Sequence, residues 1–204
     1  MAKALITLEE YKDLQQIAGK PDDDEVLQTY INGVSQLVKT YCGYSFVDYF
    51  DTFKTEVFSI ENAQSFVQLE ETPIIAGSVT VKERSSLTTT FASITALTEN
   101  ADYYIDNTTD TIFKISGSRA MPFHTGPGRV EVIYKAGYDI GNKLLPGDLS
   151  LAVADLVTYY YKDQTKSRQT IAGASLQVNP TSTQRDSIGF PDHIKRILDL
   201  YKNN

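Results

Sequence analysis

Residues 130 to 161 constrain the fold more than any other stretch of this chain. Val130-Glu131-Val132-Ile133-Tyr134-Lys135-Ala136 alternates apolar and polar positions, the two-residue period of a half-buried strand. Beyond Gly137-Tyr138-Asp139 and Leu145-Pro146-Gly147-Asp148, the run Leu149-Ser150-Leu151-Ala152-Val153-Ala154-Asp155-Leu156-Val157-Thr158-Tyr159-Tyr160-Tyr161 changes to a period of about 3.6, that of an amphipathic helix. A strand therefore hands over to a helix across a Gly/Pro joint. Neither an all-helical nor an all-strand core accommodates both halves, so the fold class is α+β.

The rest of the chain arranges itself around that joint. Thr7-Leu8-Glu9-Glu10 has the form of a capping box, in which the Thr7 hydroxyl and the Glu10 carboxylate satisfy free amides at a helix start, and predicts a helix to about Ala18. Gly19-Lys20-Pro21 breaks it. Asp22 to Asp24 place carboxylates at the positive end of a second helix, and Leu27, Tyr30, Ile31, Val34, Leu37, Val38 and Tyr41 recur on one side of it up to Gly43. Six strands are expected at 55–60, 66–70, 78–83, 103–106, 111–116 and 129–136, separated by turn residues such as Thr72-Pro73, Ala76-Gly77 and Gly126-Pro127-Gly128. Pro191-Asp192 opens a last helix, with Ile194, Ile197, Leu198 and Tyr201 on one face. The expected architecture is a helical frame of about four helices, with a small antiparallel β-sheet subdomain inserted. Its parts are 1–46 as N-terminal frame helices, 47–136 as the β-rich insert, and 137–204 as C-terminal frame helices, making one structural unit. Asp163 to Gly189 lacks a helical period and reads as a long polar loop, with Ala174 to Val178 as its one strand-like run. Fixing its backbone costs about 1–2 kcal/mol per residue, so order there is expected to come from a partner.

Composition removes several function classes. No apolar run approaches the roughly 18 residues of a membrane helix, Met1 to Leu14 lacks the apolar core of a signal peptide, and synthesis in the cytosol is the expectation. The formal charge of -7, from 26 acidic and 19 basic residues, argues against a binder that grips phosphates. The one cysteine, Cys42, falls on the apolar side of a helix without a basic partner in sequence, where it acts as a small hydrophobe. His124 and His193 are the only histidines, too few for a His-rich zinc site. His124 sits in a turn-like segment without a serine or cysteine nucleophile nearby. Asp22-Asp23-Asp24-Glu25 and the pair Asp106 and Asp110 lack the ligand spacing of a calcium loop, and no phosphate-loop or dinucleotide fingerprint occurs. Tyr159-Tyr160-Tyr161 cannot form one stacking platform, because consecutive helix positions point about 100° apart. Tyr160 is expected inward and a neighbour outward, toward a subunit contact. No catalytic, cofactor or metal residue emerges.

Taken in order, five segments resemble the head-to-tail connector family of tailed bacteriophages, the adaptor that extends the portal. Ala4-Leu5-Ile6-Thr7-Leu8-Glu9-Glu10-Tyr11-Lys12 is similar to its entry segment, and Ile31 to Phe46 to its second helix, closing on Tyr41-Cys42-Gly43-Tyr44-Ser45-Phe46. Val132 to Asp139 resembles its strand ending in Ala-Gly-Tyr. Leu145-Pro146-Gly147-Asp148-Leu149 to Tyr161 and Phe190-Pro191-Asp192-His193-Ile194-Lys195-Arg196-Ile197-Leu198-Asp199-Leu200-Tyr201 resemble its later helices. Val47 to Arg129 and Asp163 to Gly189 have no close counterpart. The resemblance implies a non-enzymatic structural protein without cofactors, forming a homo-oligomeric ring of about twelve copies. Such a ring would lie between the portal protein and the head-closure or tail proteins, in the virion neck after assembly in the host cytoplasm. DNA would pass through its lumen without sequence-specific binding, and no membrane is involved. The interface expectation falls on Ile194, Ile197, Leu198 and Tyr201 of the closing helix, with Ile171, Leu176 and Val178 of the loop, ordered together on assembly. Two alternatives stand beside it: another neck component, a head-closure or tail-terminator protein, and a β-rich module that binds a glycan or other ligand.

Overall fold

The structure is a computed structural model that describes residues 3–16, 23–141, 145–168 and 190–202. The chain divides into two compact units, one formed by Met1–Gly43 with Ile140–Asn204 and the other by Tyr44–Asp139.

The first unit is helical. Helix α1 (Leu8–Leu14) begins at Thr7, whose hydroxyl accepts from the Glu10 amide at 3.1 Å, as the capping pattern requires. It ends sooner than expected, with Gln15 as its C-cap. Helix α2 (Asp24–Cys42) ends on Gly43 in the left-handed region, whose amide donates to the Lys39 carbonyl. Leu27, Ile31, Val34, Val38 and Cys42 are buried on its inner face, whereas the expected core residues Tyr30, Leu37 and Tyr41 are only partly buried. Helix α3 (Gly147–Arg168) buries Leu149, Ala152, Val153, Leu156 and Val157. It runs well into the stretch expected as loop from 163. Lys162, Gln164, Lys166 and Arg168 extend a helix by intrinsic propensity, which leaves no apolar period to read. The remainder of that loop, 169–189, lies outside the described residues. Helix α4 (Asp192–Asp199) starts after Pro191 and buries Ile194 and Leu198.

The second unit contains β1 (Lys54–Ile60), β2 (Phe66–Gln68), β3 (Thr80–Glu83), β4 (Tyr103–Asp106), β5 (Thr111–Ser116), the two-residue β6 (Arg119–Ala120) and β7 (Gly126–Tyr134), with a 3-10 turn at Phe91–Ser93. The single small sheet expected from the sequence is two antiparallel sheets. One has the order β1-β7-β3; the other has the order β2-β5-β4, with β6 beside β5. The registers place Val57 opposite Glu131, Val81 opposite Val132 and Ile105 opposite Ile112. The inward residues of both sheets share one core, to which Val81, Val130, Val132 and Tyr134 come from the first sheet and Val67, Tyr103, Ile105 and Ile112 from the second. Each sheet thus covers the apolar face of the other, the usual resolution of half-buried strands.

Candidate assembly surfaces

The segments that carry the resemblance meet in space, within each unit. In the helical unit the Tyr11 hydroxyl lies 3.0 Å from Thr158 Oγ1, Gln15 donates to Asp155 at 3.3 Å, the Leu5 amide donates to Ser35 Oγ at 2.9 Å, and Lys39 Nζ donates to the Lys3 carbonyl at 2.7 Å. These bonds fix the entry segment on α2 and α3. The closing helix is held similarly. Tyr41 donates its hydroxyl hydrogen to Asp199, and its ring meets Phe190 edge-on at 5.1 Å between centroids. Cys42 Sγ approaches the Leu198 carbonyl at 3.7 Å, and Tyr201 donates to Asp148 at 2.6 Å.

In the β unit, the Tyr138 amide donates to the Phe46 carbonyl at 2.7 Å, the Gly137 amide to Pro73 at 2.9 Å and the Ala136 amide to Tyr49 at 3.2 Å. Gly137 has φ +101°, and a Cβ there would stand 2.8 Å from the Phe46 carbonyl carbon and closer still to its oxygen. Only glycine combines that dihedral with that approach. Behind this corner, Ser45 donates to Glu71 Oε2 from its amide (3.0 Å) and its hydroxyl (2.8 Å). The Glu71 amide in turn donates to the Tyr134 hydroxyl at 3.1 Å, which donates to Glu56. Burial first, and then the bond to Glu56, pushes the Tyr134 phenol up, so it stays a donor. Lys54 closes the network, with Nζ 3.0, 2.8 and 3.7 Å from carboxylate oxygens of Glu56, Glu70 and Glu71.

Several of the residues weighed for chemistry have structural partners. Glu83 takes the His124 amide at 2.6 Å, its Nδ1 at 2.7 Å and Lys114 Nζ at 2.7 Å. Burial acts to raise the Glu83 carboxyl, but the bonds from Lys114 and His124 outweigh it and hold it below the usual range. His124 is thus a turn histidine tied down by a carboxylate, while His193 is exposed on α4. Burial pushes the Cys42 thiol up to about 12, which leaves no thiolate near neutrality. Asp106 accepts from the Thr108 amide at 2.9 Å and from Thr109 Oγ1 at 3.0 Å, which is an Asx turn. Asp24 pairs with Lys12 at 2.6 Å. Among the described residues no group of three metal-ligating side chains occurs, and no helix is long and apolar enough to cross a membrane.

The expected interface residues divide. Ile194 and Leu198 are 1% and 0% exposed, in the core of their own unit; Ile197 and Tyr201 are partly exposed; Ile171, Leu176 and Val178 lie outside the described residues. The residue that sequence reasoning missed is Leu200, the cap of this helix, 78% exposed. Two further apolar surfaces stand open. An apolar groove of about 420 Å³ runs between α2 and α3, lined by Thr29, Tyr30, Gly33, Val34, Leu37 and Tyr160. Tyr160 therefore lines a groove rather than the core, while Tyr159 is exposed and the Tyr161 hydroxyl donates to Asp23 at 2.9 Å. On the outer face of the four-stranded sheet, Phe66 pairs across strands with Phe113 and Phe113 with Tyr104, a row of three aromatics with Phe66 and Tyr104 about half exposed. No sequence period shows that row, because it exists only in the register.

Charge is unevenly shared. Tyr44–Asp139 holds seven basic and thirteen acidic residues, nearly all of the chain's excess. Two of its three arginines serve the fold, Arg84 donating to the Gly128 carbonyl at 2.6 Å and Arg129 to the Ser85 carbonyl at 2.7 Å.

The chain matches the head completion protein family over residues 4–204. It is 30% identical to the head completion protein of Escherichia phage T5 over 110 residues, a stretch covering 54% of this chain and 59% of that protein's length. Its fold is similar to a chain in the neck of an empty gene transfer agent particle computed with C6 symmetry, at a TM-score of 0.57 and 16% identity, covering 98% of this chain and 90% of the other. It is also similar to one in the native particle's neck computed with C12 symmetry, at 0.56 and 14% identity, covering 100% and 96%.

Proposed function

This chain belongs to the head completion protein family, and from that premise we propose that it is a non-enzymatic structural protein of the virion neck, an adaptor that joins the head to the tail-side proteins. The observation that carries this reading is a family match over nearly the whole chain, together with the use of the matching segments as the bonds that hold each unit together. Apolar patches stay open on its surface, at the α2–α3 groove, the aromatic row and Leu200, and such patches suit a subunit of a larger assembly.

In this reading the chain forms a ring of twelve copies on the portal, with head-closure or tail proteins on its other side, after assembly in the host cytoplasm. The twelve-fold neck in which a similar fold occurs supports that number. The β-rich segment 47–136 is an insert carried by the helical frame, and the exposed side of the closing helix, with the segment around Ile171, Leu176 and Val178, takes part in the contacts. The acidic balance supports a lumen through which DNA slides, because like charges disfavour phosphate contact. Ring closure follows from heterologous contacts, in which two different patches of one chain meet.

The test is to add purified chain to portal-bearing heads that lack it and examine the heads by electron microscopy. Density for a closed ring at the portal vertex supports the adaptor. The aromatic row Phe66, Phe113 and Tyr104 favours a second reading, a ligand-binding module, because such rings stack on sugar faces as readily as on protein. A stable monomer that binds saccharide and never joins the heads would favour that reading.

A further inference from the structure

We infer that the contact between neighbouring copies seats the outer stripe of helix α4 of one copy in the α2–α3 groove of a second copy; this rests on the ring reading above. Helix α4 uses Ile194 and Leu198 for its own unit and turns His193, Arg196 and Leu200 outward, positions three and four apart that lie on one stripe. Leu200, 78% exposed, presents a large apolar side chain whose burial against an apolar partner is favourable.

The groove is its complement in shape and polarity. Its lining includes Tyr30, Leu37 and Tyr160, and at Gly33 no atom lies within 4 Å of where a Cβ would stand, so a side chain from outside can reach the helix backbone. An amphipathic helix laid in an apolar groove is a recurrent mode of recognition.

Charge sets the pairing. One turn before Thr29, Glu25 is exposed beside Val26, 48% exposed, without an ion-pair partner among the described residues. Arg196 likewise has none among them. Helix α2 opens with Asp24 and Glu25, whereas the closing segment 190–202 carries Lys195, Arg196 and Lys202 against Asp192 and Asp199. The start of α2 is therefore acidic and the closing helix slightly basic, and two such surfaces attract when they belong to different copies. The occupant of the groove is thus a second copy, through Leu200 with Arg196 directed at Glu25.

The test uses the full chain with heads that lack it. Arg196→Glu and Glu25→Arg, each singly, are expected to lower ring occupancy at the vertex at least tenfold at equal protein concentration, and the two together to restore it. Gly33→Cys combined with Leu200→Cys should give, after mild oxidation, a ladder of disulfide-linked multimers on a non-reducing gel, since Cys42 is buried. Rings that form normally with either single reversal, or a cross-link confined to one copy, overturn this inference and leave the adaptor reading intact. Failure of the unaltered chain to join the heads at all overturns both.

Discussion

Replacing Gly137 with alanine tests whether the Ala-Gly-Tyr corner is architectural. The new Cβ would press on the Phe46 carbonyl, which the Tyr138 amide holds at 2.7 Å. Unlike a flexible side-chain tip, this obstacle is backbone, next to the fully buried Val47, and it cannot swing aside. Holding a non-glycine residue in such a dihedral costs about 1–3 kcal/mol. Pushing the carbonyl away from its donor costs a further 1–3 kcal/mol or so, the penalty of a buried group left unpaired. The expected loss is about 2–6 kcal/mol, a large part of the stability of a domain. Gly77→Ala is the control, because Gly77 has φ +74° with nothing within 4 Å of a Cβ; it should show the dihedral cost alone. Urea denaturation followed by circular dichroism gives the global numbers, and hydrogen exchange of the β7 amides localises the loss. Gly137→Ala within about 0.5 kcal/mol of the parent, the range of an ordinary surface change, would refute the reasoning.

Three further outcomes are expected. Gly33→Ala fills open space in a helix interior and should stabilise the isolated chain by about 0.5–1 kcal/mol in urea melts, while hindering the proposed seating of Leu200. Tyr134→Phe strips the Glu71 amide and Glu56 of a buried partner and should cost about 1–3 kcal/mol, seen as a shifted midpoint with an unchanged slope. Glu83 is held below its ordinary value in the folded state, so its contribution is present above the unfolded carboxylate range and fades as pH falls through the lowered folded value; Glu83→Gln should flatten the acid limb of a stability-against-pH curve, and an unaltered limb would contradict the assignment.

Local signals made the elements legible in the sequence. Thr7, Gly43 and Pro191 mark helix ends because caps and breakers act within one turn, and six strands stand close to where alternation puts them. What the sequence hid is non-local. Phe66, Phe113 and Tyr104 are far apart in the chain, and only the pairing registers place them in one row. The division into two sheets depends likewise on β7 choosing β1 and β3. Ile194 and Leu198 were legible as an apolar stripe, but periodicity identifies a face without saying which partner covers it; their own unit does. Leu200 sits just past the helix, where the period had ended, and its exposure is visible only once the stripe is packed. The strand-to-helix junction was readable because both halves are buried. The end of α3 was not, because its polar residues make a helix without needing a core.

The adaptor account is tested most directly by a cryo-EM map of the neck of the assembled virion. It predicts this chain as a closed ring of twelve copies between portal and tail-side proteins, with α4 of each copy against α2 and α3 of the next and DNA density on the axis. A map in which the chain is missing from the neck, or stands at its periphery without touching its own copies, would contradict it.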